Sequence, residues 1–103
     1  MSRNIEFDRI MWSSHPKGKG VMGKIFYPNG YGAVVHRYKI TGSQGYASYT
    51  CNEREWELAV VTGNHDKCCL TYDTPITNDV IGHLNSNRVN FKLELIKKLP
   101  RLV

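Results

Sequence analysis

The sequence predicts an α+β domain in which an antiparallel β-sheet of four to six strands has one or two C-terminal helices packed on one face. Three observations predict this class. Asn29 and Gly30 join two runs rich in β-branched and aromatic residues, which is a strong hairpin signal. The later extended runs are joined by short turns, whereas a parallel crossover needs about a dozen residues. Beyond Asp73 the apolar residues recur at helical spacing, so we expect helices to follow the sheet.

The chain is predicted to be one domain, residues 1–103, made of three parts. Residues 1–23 are an N-terminal arm followed by a glycine-rich loop, KGKGVMG, which we expect to be mobile. The arm is amphipathic and fits either an edge strand or an anchoring segment. Residues 24–72 form a β meander, and residues 73–99 are helical.

The meander contains the hairpin and three further predicted strands. Residues 24–27 and 31–40 are its paired strands. Residues 46–51 alternate in polarity and predict another strand, and residues 56–63 are apolar enough for the centre of the sheet. Residues 68–72 predict a fifth strand, antiparallel to the one before it.

Two helices are predicted after the sheet. Thr77 can cap a short helical turn that ends at Gly82. Ser86 or Asn87 can cap a second helix that ends before Pro100, with a tail that frays. The core-facing stripe of this second helix contains Val89, Leu93 and Ile96.

Composition excludes several protein classes. The 103 residues are 41% hydrophobic and 22% charged, which is the range of ordinary globular domains and not of disordered chains. No apolar run approaches the roughly 20 residues of a membrane span, and the first ten residues lack the apolar core of a signal peptide. We therefore expect a soluble protein of the cytoplasm that makes no membrane contact.

The net charge of +5 comes from the N-terminal half of the chain. Residues 1–50 hold seven Lys or Arg against two acids, and residues 51–103 hold seven against seven. A mixture of basic and aromatic residues in and beside the hairpin is the predicted partner-binding surface, since it could follow a phosphate backbone and stack bases. An acidic protein partner would also fit, and a solvated hairpin face is the non-functional alternative. The predicted contact residues are Lys17, Lys19, Lys24, Tyr27, Tyr31, Arg37, Tyr38 and Lys39.

The cysteines and histidines predict neither a disulfide scaffold nor a metal site. Cys51, Cys68 and Cys69 are odd in number, and the adjacent pair is too close for an ordinary disulfide. The chain has no Cys-x-x-Cys and no His-x-x-x-His, the local pairs from which most zinc sites are built. The glycine-rich loop lacks the ending of a phosphate-binding P-loop. We therefore expect reduced thiols, no metal and no cofactor.

No set of catalytic residues converges in the sequence, so the chain is predicted not to be an enzyme. The nearest candidate combines Cys68 with His65 and Asp66, but residues this close in one turn point in different directions. Asp73 and Asp79 flank threonines and are typical of turn and cap chemistry.

Three segments resemble a group of small bacteriophage-encoded proteins without an assigned function. They are YPNGYG at residues 27–32, WELAVVTG at residues 56–63 and LTYDTPITNDVIGHL at residues 70–84. The resemblance spans about residues 24 to 99, and Cys68 and Cys69 stand where that pattern has more polar residues. It implies a phage accessory protein in the host cytoplasm, which binds and inhibits a host protein or ribonucleoprotein complex.

An anti-CRISPR or other anti-defence role is the sharpest form of this hypothesis, and a direct nucleic-acid-binding module is its alternative. Mimicry of DNA is disfavoured because the chain is basic. A small domain with exposed sheet edges can also pair with itself, so a homodimer is a further possibility.

Overall fold

The structure, a computed structural model, describes residues 4–40, 45–48, 50–76 and 80–102. In chain order its elements are α1 (Ile5–Asp8), β1 (Met11–Ser14), β2 (Lys19–Phe26), β3 (Tyr31–Lys39), β4 (Trp56–Gly63), β5 (Cys68–Leu70), β6 (Ile81–Leu84) and α2 (Ser86–Lys97). The six strands form one antiparallel sheet in the order β1-β2-β3-β4-β5, and β6 also pairs with β4. The α+β class is therefore confirmed, with one long C-terminal helix.

The core lies between α2 and one face of the sheet. Along β4 the even residues Trp56, Leu58 and Val60 point into this core, because successive strand residues alternate between faces. The helix contributes its predicted stripe, Val89, Leu93 and Ile96, and each of these side chains is fully buried. None of the helices in the described ranges is long and apolar enough to cross a membrane.

Asn29 joins the β2–β3 hairpin to the end of α2. Gly30 has φ +91°, the left-handed conformation that this turn needs and that glycine adopts most easily. The Asn29 side-chain amide donates to the carbonyl oxygens of Ile96 and Leu99, at 2.9 and 3.1 Å. The backbone N–H of Leu102 donates to the Asn29 carbonyl oxygen at 2.9 Å, so the tail is tied to the hairpin instead of fraying.

Most of the glycine-rich segment, residues 19–23, belongs to β2 where the sequence predicted a mobile loop, and residues 17–18 lie in the turn before this strand. Gly20 and Gly23 lie within β2, where a side chain on either would collide with a neighbour. A Cβ atom on Gly20 would lie 2.0 Å from the Arg37 carbonyl oxygen, and one on Gly23 would lie 2.2 Å from Ile10. These glycines allow close approach of neighbouring groups.

Three other expectations need correction. Of the predicted strand at residues 46–51, only Tyr46 forms a bridge, to Lys39, and Tyr49 lies outside the described residues. The Ser48 side chain is hydrogen-bonded to Thr50 at 3.0 Å, and such local bonds compete with a strand ladder. Residues 77–79 of the predicted first helix also lie outside the described residues, and Ile81–Leu84 is a strand. The N-cap of α2 is Asn85, whose side chain accepts from the Arg88 N–H.

Candidate functional site

The predicted contact residues lie on both faces of the sheet. In the β2–β3 register Lys19 is opposite Lys39, and both share the helix-packed face with Arg37 by strand alternation. Lys24 and Tyr38 belong to the opposite face, which we call the open face. The structure therefore brings only part of the predicted set together.

Tyr27, one of the predicted contact residues, is buried in the structure. Its side chain is 6% exposed and belongs to the hydrophobic core, and Tyr31 is half-buried against the same core. Burial, followed by the neighbouring Glu6 carboxylate, raises the pKa of the Tyr27 hydroxyl. Tyr27 thus belongs to the core and Tyr31 packs against it, as aromatic residues serve cores and interfaces equally well.

Lys19, Arg37 and Lys39 surround a depression that we call the basic cleft. It has a volume of about 220 Å³. Its lining consists of Lys19, Gly20, Arg37, Lys39, Tyr46 and Glu53. Like charges directly opposite each other on neighbouring strands destabilise a sheet. The Lys19–Lys39 pair therefore lowers the free energy of unfolding.

Arg37 forms one wall of the basic cleft and is held firmly. Its guanidinium lies 4.1 Å from the centre of the Trp56 ring, a cation–π contact. It also donates hydrogen bonds to the carbonyl oxygens of Glu53 and Glu55. Lys39 lies over the Tyr46 ring, with its Nζ 4.8 Å from the ring centre. Arg37 therefore ties the turn before β4 to the sheet.

The cations of the basic cleft are not neutralised by ion pairs within the described part of the chain. There, the ion pairs join Glu6 to Arg9 and Lys97, and two further carboxylates contact histidines, Glu55 with His83 and Glu57 with His36. Lys19, Arg37 and Lys39 are in none of these pairs. With three cations and one carboxylate, Glu53, in its lining, the cleft carries a local charge excess that attracts anions.

A chain of hydrogen bonds connects Glu57, His36 and His15 on the open face. His36 Nε2 is bonded to the Glu57 carboxylate, and His36 Nδ1 is 2.9 Å from His15 Nε2. The backbone N–H of Lys17 donates to His15 Nδ1 at 3.0 Å. Since Nδ1 of His15 accepts, neutral His15 carries its proton on Nε2 and donates to His36, which in turn donates to Glu57.

His15 is buried, with its ring stacked on Tyr38 at a centroid distance of 3.9 Å. Burial lowers the pKa of His15, as do the neighbouring His36 and Lys17, and the Glu57 carboxylate opposes this shift. At neutral pH, above the ordinary imidazole pKa of 6.5, the folded protein therefore favours the neutral form of His15.

The histidine chain borders an apolar groove of about 290 Å³ on the open face. Its apolar lining consists of Met22, Val34, Ala59, Val61, Leu70 and Val80, and Lys17, His36, Glu57 and Cys68 also line it. The sequence candidate Cys68, His65 and Asp66 is not assembled here. The His65 ring packs edge-on against Phe26 at 4.7 Å, and the Asp66 N–H donates to Asn64 in an exposed turn.

A third cluster joins residues that are far apart in the sequence. Cys51, Glu55 and His83 each offer a possible metal-ligand atom, and these atoms lie within 4.8 Å of one another. Local cysteine and histidine pairs in the sequence do not reveal this cluster, because His83 comes from β6, beyond two other strands. The four-residue spacing of Cys51 and Glu55 was the only signal available.

No protein-family model, curated protein or solved structure matches this chain. The geometry of these surfaces and the resemblance in the sequence are therefore the grounds for a functional proposal.

Proposed function

We propose that this chain is a non-enzymatic binding protein that docks an anionic surface of a macromolecular partner in the basic cleft. The observation that carries the proposal is the Lys19–Lys39 pair. Two like charges on directly opposed strand positions cost folding free energy, and that cost is offset when an anion bridges them. Arg37 beside the pair supplies a third positive charge from a fixed position.

The shape of the basic cleft supports a contact with a larger partner. A volume of about 220 Å³ is below the usual range of small-molecule pockets, about 300–1,000 Å³. Trp12 provides an aromatic surface on the same face, since it is 38% exposed and its ring lies 4.7 Å from Trp56. Tryptophan and arginine are enriched in binding hot spots, and here the ring of Trp56 connects Trp12 to Arg37.

We propose a protein complex of the host as the partner, with inhibition by stoichiometric binding as the result. The resemblance to small phage-encoded proteins supports this setting, and an anti-CRISPR or other anti-defence role is its most specific form. A direct nucleic-acid-binding module is the second candidate, favoured by the basic cleft with an exposed tryptophan on the same face.

The test is capture of partners from a bacterial lysate by three tagged proteins, each assayed with and without nuclease and at low and high salt. They are the wild type, the double variant K19E/K39E and the charge-matched control K67E/K98E, whose lysines are exposed and line neither the basic cleft nor the groove. Arg37 is left unchanged because its replacement would also release the turn before β4.

The expected result is a defined protein complex that survives nuclease, that the control still captures, and that the K19E/K39E variant no longer captures. Purified wild-type protein should then inhibit that complex at a one-to-one ratio. Capture of nucleic acid alone, lost steeply as salt rises, would instead establish the nucleic-acid-binding module. Equal capture by all three proteins would place the contact outside the basic cleft.

A further inference from the structure

Cys51, Glu55 and His83 lie together at the surface, away from the lining of the basic cleft and of the groove. His83 Nδ1 is 3.6 Å from the Cys51 Sγ atom and 2.9 Å from Glu55 Oε1. In a tetrahedral Zn²⁺ site the zinc–sulfur and zinc–nitrogen bonds are about 2.3 and 2.0 Å long. At the tetrahedral angle, the sulfur and nitrogen atoms then lie about 3.5 Å from each other. The Sγ to Nδ1 distance therefore already matches that of two ligands of a shared metal ion.

An irregularity in the pairing of β4 with β6 directs His83 toward Cys51 and Glu55. Trp56 pairs with Leu84 and Leu58 pairs with Ile81, so β6 has one residue more than β4 between these pairs. This extra residue makes a β-bulge, a feature that redirects side chains and is frequent beside functional sites. His83 has φ +55°, a left-handed conformation that is unfavourable for a non-glycine residue.

Glu55 is fixed by its surroundings. Its Oε1 atom accepts from the Cys51 backbone N–H at 2.8 Å, and its carbonyl oxygen accepts from Arg37. Hydrogen bonds of this kind orient metal ligands in known sites. The carboxylate is thus held beside the thiol and the imidazole.

The arrangement does not fit a catalytic triad. In a triad the histidine uses one ring nitrogen for the nucleophile and the other for the orienting acid. Here both the Cys51 thiol and the Glu55 carboxylate approach the same nitrogen, Nδ1 of His83. The three possible ligand atoms lie within 4.8 Å of one another, a spacing from which small side-chain shifts can bring all three onto one cation.

We propose that Cys51, Glu55 and His83 form a Zn²⁺-binding site with three protein ligands. A thiolate and an imidazole select zinc or a similar transition metal, whereas Mg²⁺ and Ca²⁺ require oxygen ligands. On binding, the Cys51 thiol releases its proton to solvent as the sulfur–zinc bond forms. Cys51 and His83 are exposed, so a water molecule or a group from another molecule can take the fourth position.

The test is a titration of the full chain, treated with chelator and reductant, with Co²⁺ as a spectroscopic probe and then with Zn²⁺ as competitor. We expect one equivalent of Co²⁺ to produce a thiolate-to-cobalt charge-transfer band, which Zn²⁺ then removes. Loss of even a supporting residue weakens metal affinity by about 10–100-fold. Each of the ligand variants C51S, H83A and E55Q should therefore weaken binding by more than about 100-fold.

Matched controls are C69S and H65A, which replace exposed residues of the same types outside the cluster. Both should bind Co²⁺ as the wild type does. The proposal is overturned if no thiolate band forms at one equivalent, or if C51S and H83A bind normally while remaining folded by circular dichroism. Loss of the band in C69S, with its retention in C51S, would also overturn it by assigning the metal to another thiol.

Discussion

Replacing one lysine of the Lys19–Lys39 pair should stabilise the protein, because the two ammonium groups repel each other across the β2–β3 ladder. The Cβ atoms of directly opposed residues on antiparallel strands lie about 5 Å apart. For two unit charges about 6 Å apart in water, Coulomb's law gives about 0.7 kcal/mol. This agrees with the range of about 0.2–1 kcal/mol for cross-strand pairs.

The variant is K19Q, which removes the charge of an exposed side chain and leaves the contact of Lys39 with Tyr46 in place. For a domain of this size about 0.7 kcal/mol corresponds to a rise in Tm of roughly 3–5 °C. The assay is thermal unfolding by circular dichroism, in a buffer without phosphate at low ionic strength, where no multivalent anion bridges the lysines.

Salt provides the decisive comparison. At about 1 M salt the Debye length falls to about 3 Å, so the advantage of K19Q should largely disappear. K67Q, which changes an exposed lysine outside the basic cleft, should stay within about 0.5 kcal/mol of the wild type. If K19Q fails to raise Tm at low salt, or changes Tm equally at both salt concentrations, repulsion between Lys19 and Lys39 does not limit the stability.

Two further predictions concern the core and the histidine chain. Leu93→Ala should lower the free energy of unfolding by about 2–5 kcal/mol, because the Leu93 side chain is fully buried. Phe91→Ala, on the exposed side of α2, should lower it far less. Urea unfolding of both variants measures these changes, and equal losses would contradict the packing. Because the pKa of His15 is lowered on folding, the unfolded chain takes up this proton first as pH falls through the ordinary value of 6.5. This site should therefore reduce stability on acidification, by at most about 1.4 kcal/mol per pH unit, and H15Q should show a smaller decrease between about pH 7.5 and 5.5 in urea unfolding. An identical decrease in H15Q would contradict the assignment.

The parts of the fold that the sequence predicted well are those decided by local patterns. The Asn29–Gly30 turn, the apolar β4 strand and the stripe of α2 all follow from turn chemistry and periodicity. The failure at residues 46–51 has a physical reason. An alternating run of tyrosine, serine and threonine is typical of a strand, but hydroxyl groups such as that of Ser48 also satisfy local hydrogen bonds without one.

The functional surfaces were less predictable because they depend on how distant segments meet. Strand alternation places Lys19 and Lys24 on different faces of the sheet. The glycine-rich sequence did not indicate that β2 begins at residue 19, so this separation was not predictable. The position of His83 beside Cys51 depends on a bulge in β6 and a positive φ angle. No periodicity in the sequence signals either feature.

The link from Asn29 to the end of α2 has a consequence for how the protein opens. Terminal helical turns usually fray at little cost in free energy, independently of the rest of a fold. Here the final carbonyl groups of the helix are bound by a side chain from a β-turn some 67 residues earlier in the chain. Opening of the last helical turn therefore breaks contacts with the hairpin, and backbone amides in the two regions should exchange with solvent as one cooperative unit.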